Sequence, residues 1–381
     1  MERLELIAPC HFGLEAVLKR EVQNLGYRVI RVEDGRVHFE GDAGAVAAAN
    51  IFLRSAERIL IKAGEFKAMS FDELFEETKA IPWEYWFPKD AKTWAAKVSS
   101  VKSTLYSPSD IQRIIKKAIA DRLGSCYKTE WLPETGASYP LRVSINKDIV
   151  TIGIDTTGIS LHKRGYRVSP VIAPISETLA ASLILLTPWK KDRILVDPFC
   201  GSGTFLIEAA MMAANMAPGA GRNFLSETWE SIVPKNVWIE TREKAKSAVH
   251  IVKDVDLQGY DIDEEAVRFS RDNARAAGVE EMIHFQRREV RDLSHPKKYG
   301  FIITNPPYGE RIEENDNLPI IYRELGEAYK KLDSWSMYLI TAYEDAERCI
   351  GRKADKNRKI YNGMIKTYFY EFLGPKPPRR P

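Results

Sequence analysis

The chain has 381 residues, with 56 Lys+Arg against 53 Asp+Glu and a formal charge of +3, a near-neutral balance that excludes a histone-like polycation. Its 44% hydrophobic and 10% aromatic content can fill large cores, which excludes a disordered or low-complexity protein, and the length suits two or three domains. Cys10, Cys126, Cys200 and Cys349 lie far apart with no C-x-x-C pair, which excludes a close-neighbour disulfide framework or zinc knuckle and points to a reducing cytoplasm.

Taken in chain order, residues 3–8 predict a strand, and residues 13–25 a helix, with Phe12, Leu14, Val17, Leu18, Val22 and Leu25 near helical spacing. Strands over 27–32 and 36–41 flank Asp34-Gly35, a dipeptide suited to a two-residue hairpin turn. A helix over 43–54 completes a unit of ferredoxin-like type. A second set follows: strand 58–66, helix 71–80, strand 94–100, helix 109–123, and strands 141–146, 149–155 and 158–161.

From about Ser176 strands alternate with helices, the grammar of a parallel doubly wound sheet. The expected series is helix 177–186, strand 193–197, helix 203–216, strand 257–261, helix 264–277, strands 282–286 and 301–304, helix 320–332 and strand 337–341. Strands 358–361 and 365–373 around Asn362-Gly363 add an antiparallel hairpin, and the tail GPKPPRRP is expected to fray. Residues 217–256 interrupt the alternation and are expected to be an inserted lid or a loop plus helix. The most apolar stretch, 171–189, carries Glu177 and is broken by Pro174 and Pro188, so neither a signal peptide nor a membrane span is expected.

Three strand ends carry chemistry. Asp197-Pro198-Phe199-Cys200-Gly201-Ser202-Gly203-Thr204 joins a hydrophobic strand to a helix, where glycines admit a ligand to the helix N-terminus and the acid can accept from an amine or ribose. A ligand-free βα turn would look the same in isolation; the missing third glycine and the missing Gly-Lys-Ser/Thr ending argue against NAD and ATP. Gly259-Tyr260-Asp261-Ile262-Asp263 places Asp261 where an acid grips a ribose, with Asp263 capping the next helix. Asn305-Pro306-Pro307-Tyr308-Gly309 follows the strand FIIT: its prolines stiffen the turn so that the Asn oxygen and the Pro306 carbonyl can converge on a planar exocyclic amine, with Tyr308 to stack on the base. No metal site is expected.

Together these motifs resemble the S-adenosylmethionine-dependent amino-methyltransferases that act on an exocyclic nitrogen of a nucleobase. More narrowly, Asn215-Met216-Ala217-Pro218-Gly219, Arg222, Phe224, Glu227 and Trp229, with Ala173-Pro174, Glu177-Thr178-Leu179-Ala180, the segment 161–167 and the opening Phe12-Gly13-Leu14-Glu15, resemble the stand-alone THUMP-domain guanine-N2 methyltransferases of bacterial large-subunit ribosomal RNA. The resemblance implies an α/β fold: a Rossmann-like seven-stranded methyltransferase domain (161–381) behind an α+β region of ferredoxin-like (1–60) and THUMP RNA-binding (61–160) parts. It implies that Asp197, Pro198, Cys200, Gly201, Gly203 and Thr204 frame the cofactor, that Asp261 and Ile262 hold its ribose side, and that Glu289 meets the adenine, with Asp292 as the alternative. Asn305, Pro306, Pro307 and Tyr308 are then the catalytic turn.

Residues 97–128 hold Lys97, Lys102, Arg113, Lys116, Lys117, Arg122 and Lys128 against Asp110 and Asp121. A solvated helix face would explain them, as would RNA phosphate binding through Lys102, Arg113, Lys116 and Lys117. His162, Lys163, Arg164 and Arg167 stand at the domain junction, where RNA could enter the cleft. The expected reaction is methyl transfer to guanine N2 in 23S ribosomal RNA, with transfer RNA second. Adenine-N6 methylation of DNA is the alternative within enzymes. A noncatalytic RNA-binding assembly factor is the alternative outside them.

Overall fold

The computed structural model describes residues 3–168, 175–250, 252, 254–309, 317–363 and 365–378; Ala173, Pro174 and the end of the tail lie outside them. The chain opens with β1 (Leu4–Pro9), α1 (Glu15–Asn24), β2 (Val29–Glu33), β3 (Arg36–Gly41) and α2 (Ala43–Phe52). Gly35 turns the β2–β3 hairpin at φ +73°, a left-handed conformation that a β-carbon disfavours. Asp42 starts α2 by accepting from the Ala45 N–H. Then come β4 (Leu60–Lys67), α3 (Phe71–Ala80), the short α4 (Trp83–Trp86), β5 (Lys92–Val101), α5 (Pro108–Tyr127), β6 (Ser138–Asn146) and β7 (Ile149–Asp155). Ser70 and Glu73 cap α3 reciprocally.

These strands form one sheet in the order β2-β3-β1-β4-β7-β6-β5. Leu6 pairs with Ile61 and Ile7 with Leu60, so the ferredoxin-like part and the part after it share a sheet and a core. Leu6, Phe39, Ile61, Leu141, Ile152 and Ile154 bury one face together with Leu18, Val46, Leu74 and Ile115 of the helices. The opposite face carries Glu5, Arg36, Lys62, Arg142 and Ser144, which are only partly buried.

Residues 158–161, expected as a strand, form bends and a turn instead. Gly158 reverses the chain at φ +78°. The Gly158 carbonyl accepts from Arg58, the Ile159 carbonyl from Arg222, and the Leu161 N–H donates to Glu57 O, so these backbone groups are taken by the domain junction.

The second half contains α6 (Glu177–Leu186), β8 (Leu195–Asp197), α7 (Thr204–Ala213), α8 (Lys235–Ser247), β9 (Leu257–Asp261), α9 (Glu264–Ala276), β10 (Ile283–Arg287), β11 (Phe301–Thr304), α10 (Leu318–Lys330), β12 (Ser336–Thr341), α11 (Ala346–Ile350), β13 (Lys356–Asn362) and β14 (Ile365–Phe372). Its sheet runs β10-β9-β8-β11-β12-β14-β13, parallel except for β14, which is antiparallel to both β12 and β13. The strand order reverses beside β8, and at such a point the carboxyl ends of adjacent strands open a ligand crevice.

The insertion after α7 is a strap and not a lid. Ala217, Phe224, Trp229, Val233, Trp238 and Ala245 bury themselves in the N-terminal core. Trp229 stacks on Tyr139 of β6, centroids 4.6 Å apart, and its indole N–H donates to Ser138 O at 3.0 Å. Gly219 N donates to Ile51 O at 2.9 Å, and a β-carbon at Gly219 would stand 2.5 Å from Asn50 O. Arg242 donates to Arg222 O and pairs with Glu227, closing the strap on itself. Among the described residues no helix is long and apolar enough to cross a membrane.

Candidate active site

Asp197 ends β8 and is 2% exposed. Thr304 Oγ1, at the end of β11, donates to its Oδ1 at 2.6 Å, and Phe199 N donates to the same oxygen at 3.2 Å. The carboxyl group therefore ties two neighbouring strand ends at the point where the sheet order reverses. Burial lifts its pKa to about 7, against the bonds from Thr304 and Phe199 and with help from Asp261. Pro198 is buried behind it.

The two glycines of the turn do different things. Gly201 has φ +50° and a β-carbon there would meet nothing within 4 Å among the described residues, so Gly201 borders open space in the crevice. Gly203 has φ +78°, and a β-carbon there would stand 3.0 Å from Ser270 Cβ and 3.1 Å from the Phe285 ring. Gly203 thus serves the packing of α7 on α9 and β10. Thr204 is buried at the start of α7, its Oγ1 held by Arg167 at 3.0 Å and Ser202 Oγ at 2.9 Å. Burial, then Asp197 and Asp261, push the Cys200 thiol well above its usual range, leaving a neutral thiol and no nucleophile.

Asp261 Oδ2 accepts from Gly201 N at 2.9 Å and Oδ1 from Asp263 N at 3.0 Å. Burial raises its pKa while these backbone bonds oppose the rise. The acid of β9 thereby shapes the glycine turn and retains lone pairs for a ligand. Beside it, exposed Ile262 lines a cavity of about 550 Å³ with Gln286, Arg287, Arg288, Glu289 and Asp292. Both acids left open by the sequence lie there; Glu289 is paired with Arg291.

The turn expected to be catalytic, Asn305 to Tyr308, follows β11. Asn305 Oδ1 is buried and has no hydrogen-bond partner among the described residues. Leaving such an acceptor unpaired costs about 1–3 kcal/mol, a cost that a donor arriving with substrate would remove. Tyr322 of α10 donates to Pro307 O at 3.1 Å and lies 2.5 Å from Thr341 Oγ1, which also accepts from Tyr343 N. Tyr322 and Thr341 escaped the sequence reading because Tyr322 sits in the apolar stripe of Leu318 and Leu325, spaced as a core residue. Tyr308 Oη accepts from Asn362 Nδ2 at 3.2 Å.

The basic residues separate into surface and junction groups. Lys102 is exposed at φ +51°; Arg113 pairs with Asp110 at 3.0 Å, Lys116 with Glu134 at 3.4 Å, and Lys117 lies 5.4 Å over the Phe75 ring. Lys163 is exposed. His162 Nδ1 lies 3.0 Å from Glu57, which also meets His11 and Thr178. Burial raises the Glu57 pKa, but its bonds to His11, His162 and Thr178 outweigh that and hold it well below the carboxylate range. Arg164, expected to meet RNA, is corrected to an internal fastener, while Arg167 is held by protein groups and stays partly exposed. The Arg164 side chain is 2% exposed and donates to Leu161 O and Arg54 O beside Glu208. Arg167 is held by Ile175 O and Thr204, with Glu177 at 3.7 Å.

The open space at Gly201, the acids ending β8 and β9 and the cavity beside Ile262 fit a nucleoside carrying a charged amino-acid arm, such as S-adenosylmethionine. Family models match an RMKL-like methyltransferase domain over residues 164–371, an RlmL ferredoxin-like domain over 5–60 and a THUMP domain over 68–155. YpsC of Bacillus subtilis (strain 168), by name a candidate RNA methyltransferase, is 45% identical over 382 residues, covering 100% of this chain and 98% of that protein. The crystal structure of SMU.472, a candidate methyltransferase complexed with SAH, is 41% identical with a TM-score of 0.92 over 99% of each chain. A Listeria monocytogenes (str. 4b F2365) structure, by name a predicted N6-adenine-specific DNA methylase, is 47% identical with a TM-score of 0.92, over 98% of this chain and 97% of that one. With its glycine turn, its acids and the cavity beside Ile262 at the strand ends of one sheet, the chain belongs to the RMKL-like methyltransferase family, an S-adenosylmethionine-dependent enzyme with RlmL ferredoxin-like and THUMP domains ahead of its catalytic domain.

Proposed function

We propose that the protein methylates the exocyclic N2 of a guanine in RNA, with 23S ribosomal RNA as the substrate and transfer RNA as second choice. The observation that carries this reading is the buried, unpartnered Asn305 Oδ1 in a chain that also holds a THUMP domain. S-adenosylmethionine supplies an electrophilic methyl group on a sulfonium. The protein's part is to hold the amine. Asn305 Oδ1 accepts one of its hydrogens and the Pro306 carbonyl the other, which turns the nitrogen lone pair away from both and toward the methyl group. Tyr322 fixes the turn through Pro307, and Tyr308 offers a ring to the base. A guanine inside a helix cannot reach this turn, so the base is flipped out or taken from a loop. Cys200, neutral and buried, forms no covalent intermediate.

A second reading, adenine-N6 methylation of DNA, is favoured by the name of the Listeria relative, since the same turn accepts either amine. Labelled-methyl transfer to total RNA and to DNA, followed by nucleoside analysis, separates the two. The expected product is N2-methylguanosine from ribosomal RNA. N6-methyladenine from DNA with no methylated guanosine overturns the proposal, and no incorporation into either would favour a noncatalytic assembly factor.

A further inference from the structure

We infer that the open face of the N-terminal sheet is where the RNA backbone docks, and that it leads the strand to the catalytic turn past Phe12. The inference rests on the reading of the protein as an RNA methyltransferase. On that face a cavity of about 260 Å³ has a floor of Ile7, Leu60 and Val143 and a rim of Arg36, Lys97 and Arg142 with Ser99, Ser144 and Thr151, and no acid lines it. Both arginines are held from behind. Glu33 lies 3.0 Å from Arg36 Nε, Arg36 Nη2 donates to Ser144 Oγ at 3.1 Å, and Arg142 Nε donates to buried Asp155 at 2.8 Å. Each arginine retains further N–H donors, and Ser144, an acceptor toward Arg36, retains its own hydrogen. Lys97 is exposed and has no partner among the described residues. Thr151 Oγ1 donates to Glu65 at 3.3 Å, so the groups left to meet the oxygens of a phosphodiester are the remaining N–H donors of the two arginines, Lys97 and the Ser144 hydroxyl. The cations of α5 are less firmly oriented, because Arg113 and Lys116 pair with acids on the exposed surface and Lys117 lies over a ring, whereas Arg36 and Arg142 are fixed by partly buried and buried acids.

The second observation is continuity with the catalytic turn. Pro9 and Gly35 also line the cavity, and Cys10 N donates to Gly35 O at 2.8 Å. Two residues further on, Phe12 is 45% exposed and meets Tyr361 edge-on at 6.4 Å. Lys359 Nζ stands 5.2 Å over the Tyr361 ring, and the next residue, Asn362, donates to Tyr308 Oη at 3.2 Å. The cavity, exposed Phe12 with its half-buried partner Tyr361, and the turn at Tyr308 follow one another along contiguous contacts, an arrangement that suits a single strand held by its phosphates and stacked by its bases.

The test is binding of an unmodified 23S ribosomal RNA transcript by the full-length protein across a salt series, with cofactor affinity as the control for folding. Lys97→Ala is expected to weaken RNA binding several-fold and to reduce the log–log salt slope by about one. Phe12→Ala is expected to slow methyl transfer to RNA with cofactor affinity unchanged, and Lys116→Ala to behave as wild type. A wild-type slope in Lys97→Ala, with a reduced slope in Lys116→Ala, overturns the inference in favour of the α5 face. Wild-type protein that retains duplex DNA and binds no ribosomal RNA would instead show that the RNA reading itself is wrong, and the docking face with it.

Discussion

Asn305 illustrates how a site can be recognised by what it leaves unpaired. Its buried Oδ1 is a destabilising feature in the free protein, so Asn305→Ala should leave thermal stability equal or raised while turnover falls by about two orders of magnitude or more. Cofactor affinity, measured by calorimetry, should hardly change; an equal loss of affinity and turnover would assign Asn305 to the cofactor instead. The glycines divide similarly. Gly201→Asn tolerates a left-handed φ and fills the open space, so cofactor affinity should drop at least about tenfold with the melting temperature nearly preserved. Gly203→Ala should cost about 1–3 kcal/mol of stability through strain and contact with Ser270 and Phe285, with affinity retained by the folded fraction. Asp197, with its pKa raised to about 7, contributes stability as a neutral acid that is fully present below its ordinary value and is lost as the pH rises through 7. A cationic ligand beside it favours the carboxylate. Cofactor binding near pH 6.5 should therefore release up to about one proton, seen as a buffer-dependent calorimetric heat that disappears in Asp197→Asn.

At the scale of elements, the strap between α7 and β9 governs how the halves stay together. Its Trp229 is 1% exposed and stacks on Tyr139. Trp229→Ala should destabilise the protein by about 3–5 kcal/mol, read from denaturant unfolding, even though it lies outside the catalytic turn. A loss no larger than that of a surface substitution would restore the lid interpretation. The strap resisted sequence reading for a physical reason: Phe224, Trp229 and Trp238 show no simple period, and an interruption of a βα alternation looks the same whether its apolar side chains cover a ligand or another domain. The motif ends at Asp197, Asp261 and Asn305 were legible because strand-to-turn junctions have local chemistry. Arg164 and Arg167 were not, since charge in sequence does not reveal burial, and Glu208 and Thr204, which hold them, are distant in the chain.

At the scale of the whole molecule, the catalytic half is built to be covered. Removing residues 1–160 would strip the partners of Phe224, Trp229 and Trp238 and expose an aromatic surface. The truncated protein should therefore aggregate, whereas the full chain should sediment as a homogeneous species. A soluble, cofactor-binding 161–381 fragment would show that the strap folds without the N-terminal sheet. The sequence by itself determined the alternation of elements, the closing antiparallel hairpin and the three strand-end turns proposed to form the site, because hydrophobic period and turn composition act over neighbouring residues. Only the tertiary structure decided that the insertion is a strap, that Gly203 packs while Gly201 faces open space, that Arg164 is internal, and that a cavity with no acid in its lining opens on the far face of the N-terminal sheet. Each of these depends on which distant segment lies against a side chain, and burial against a remote partner leaves no period or spacing in the chain that provides it.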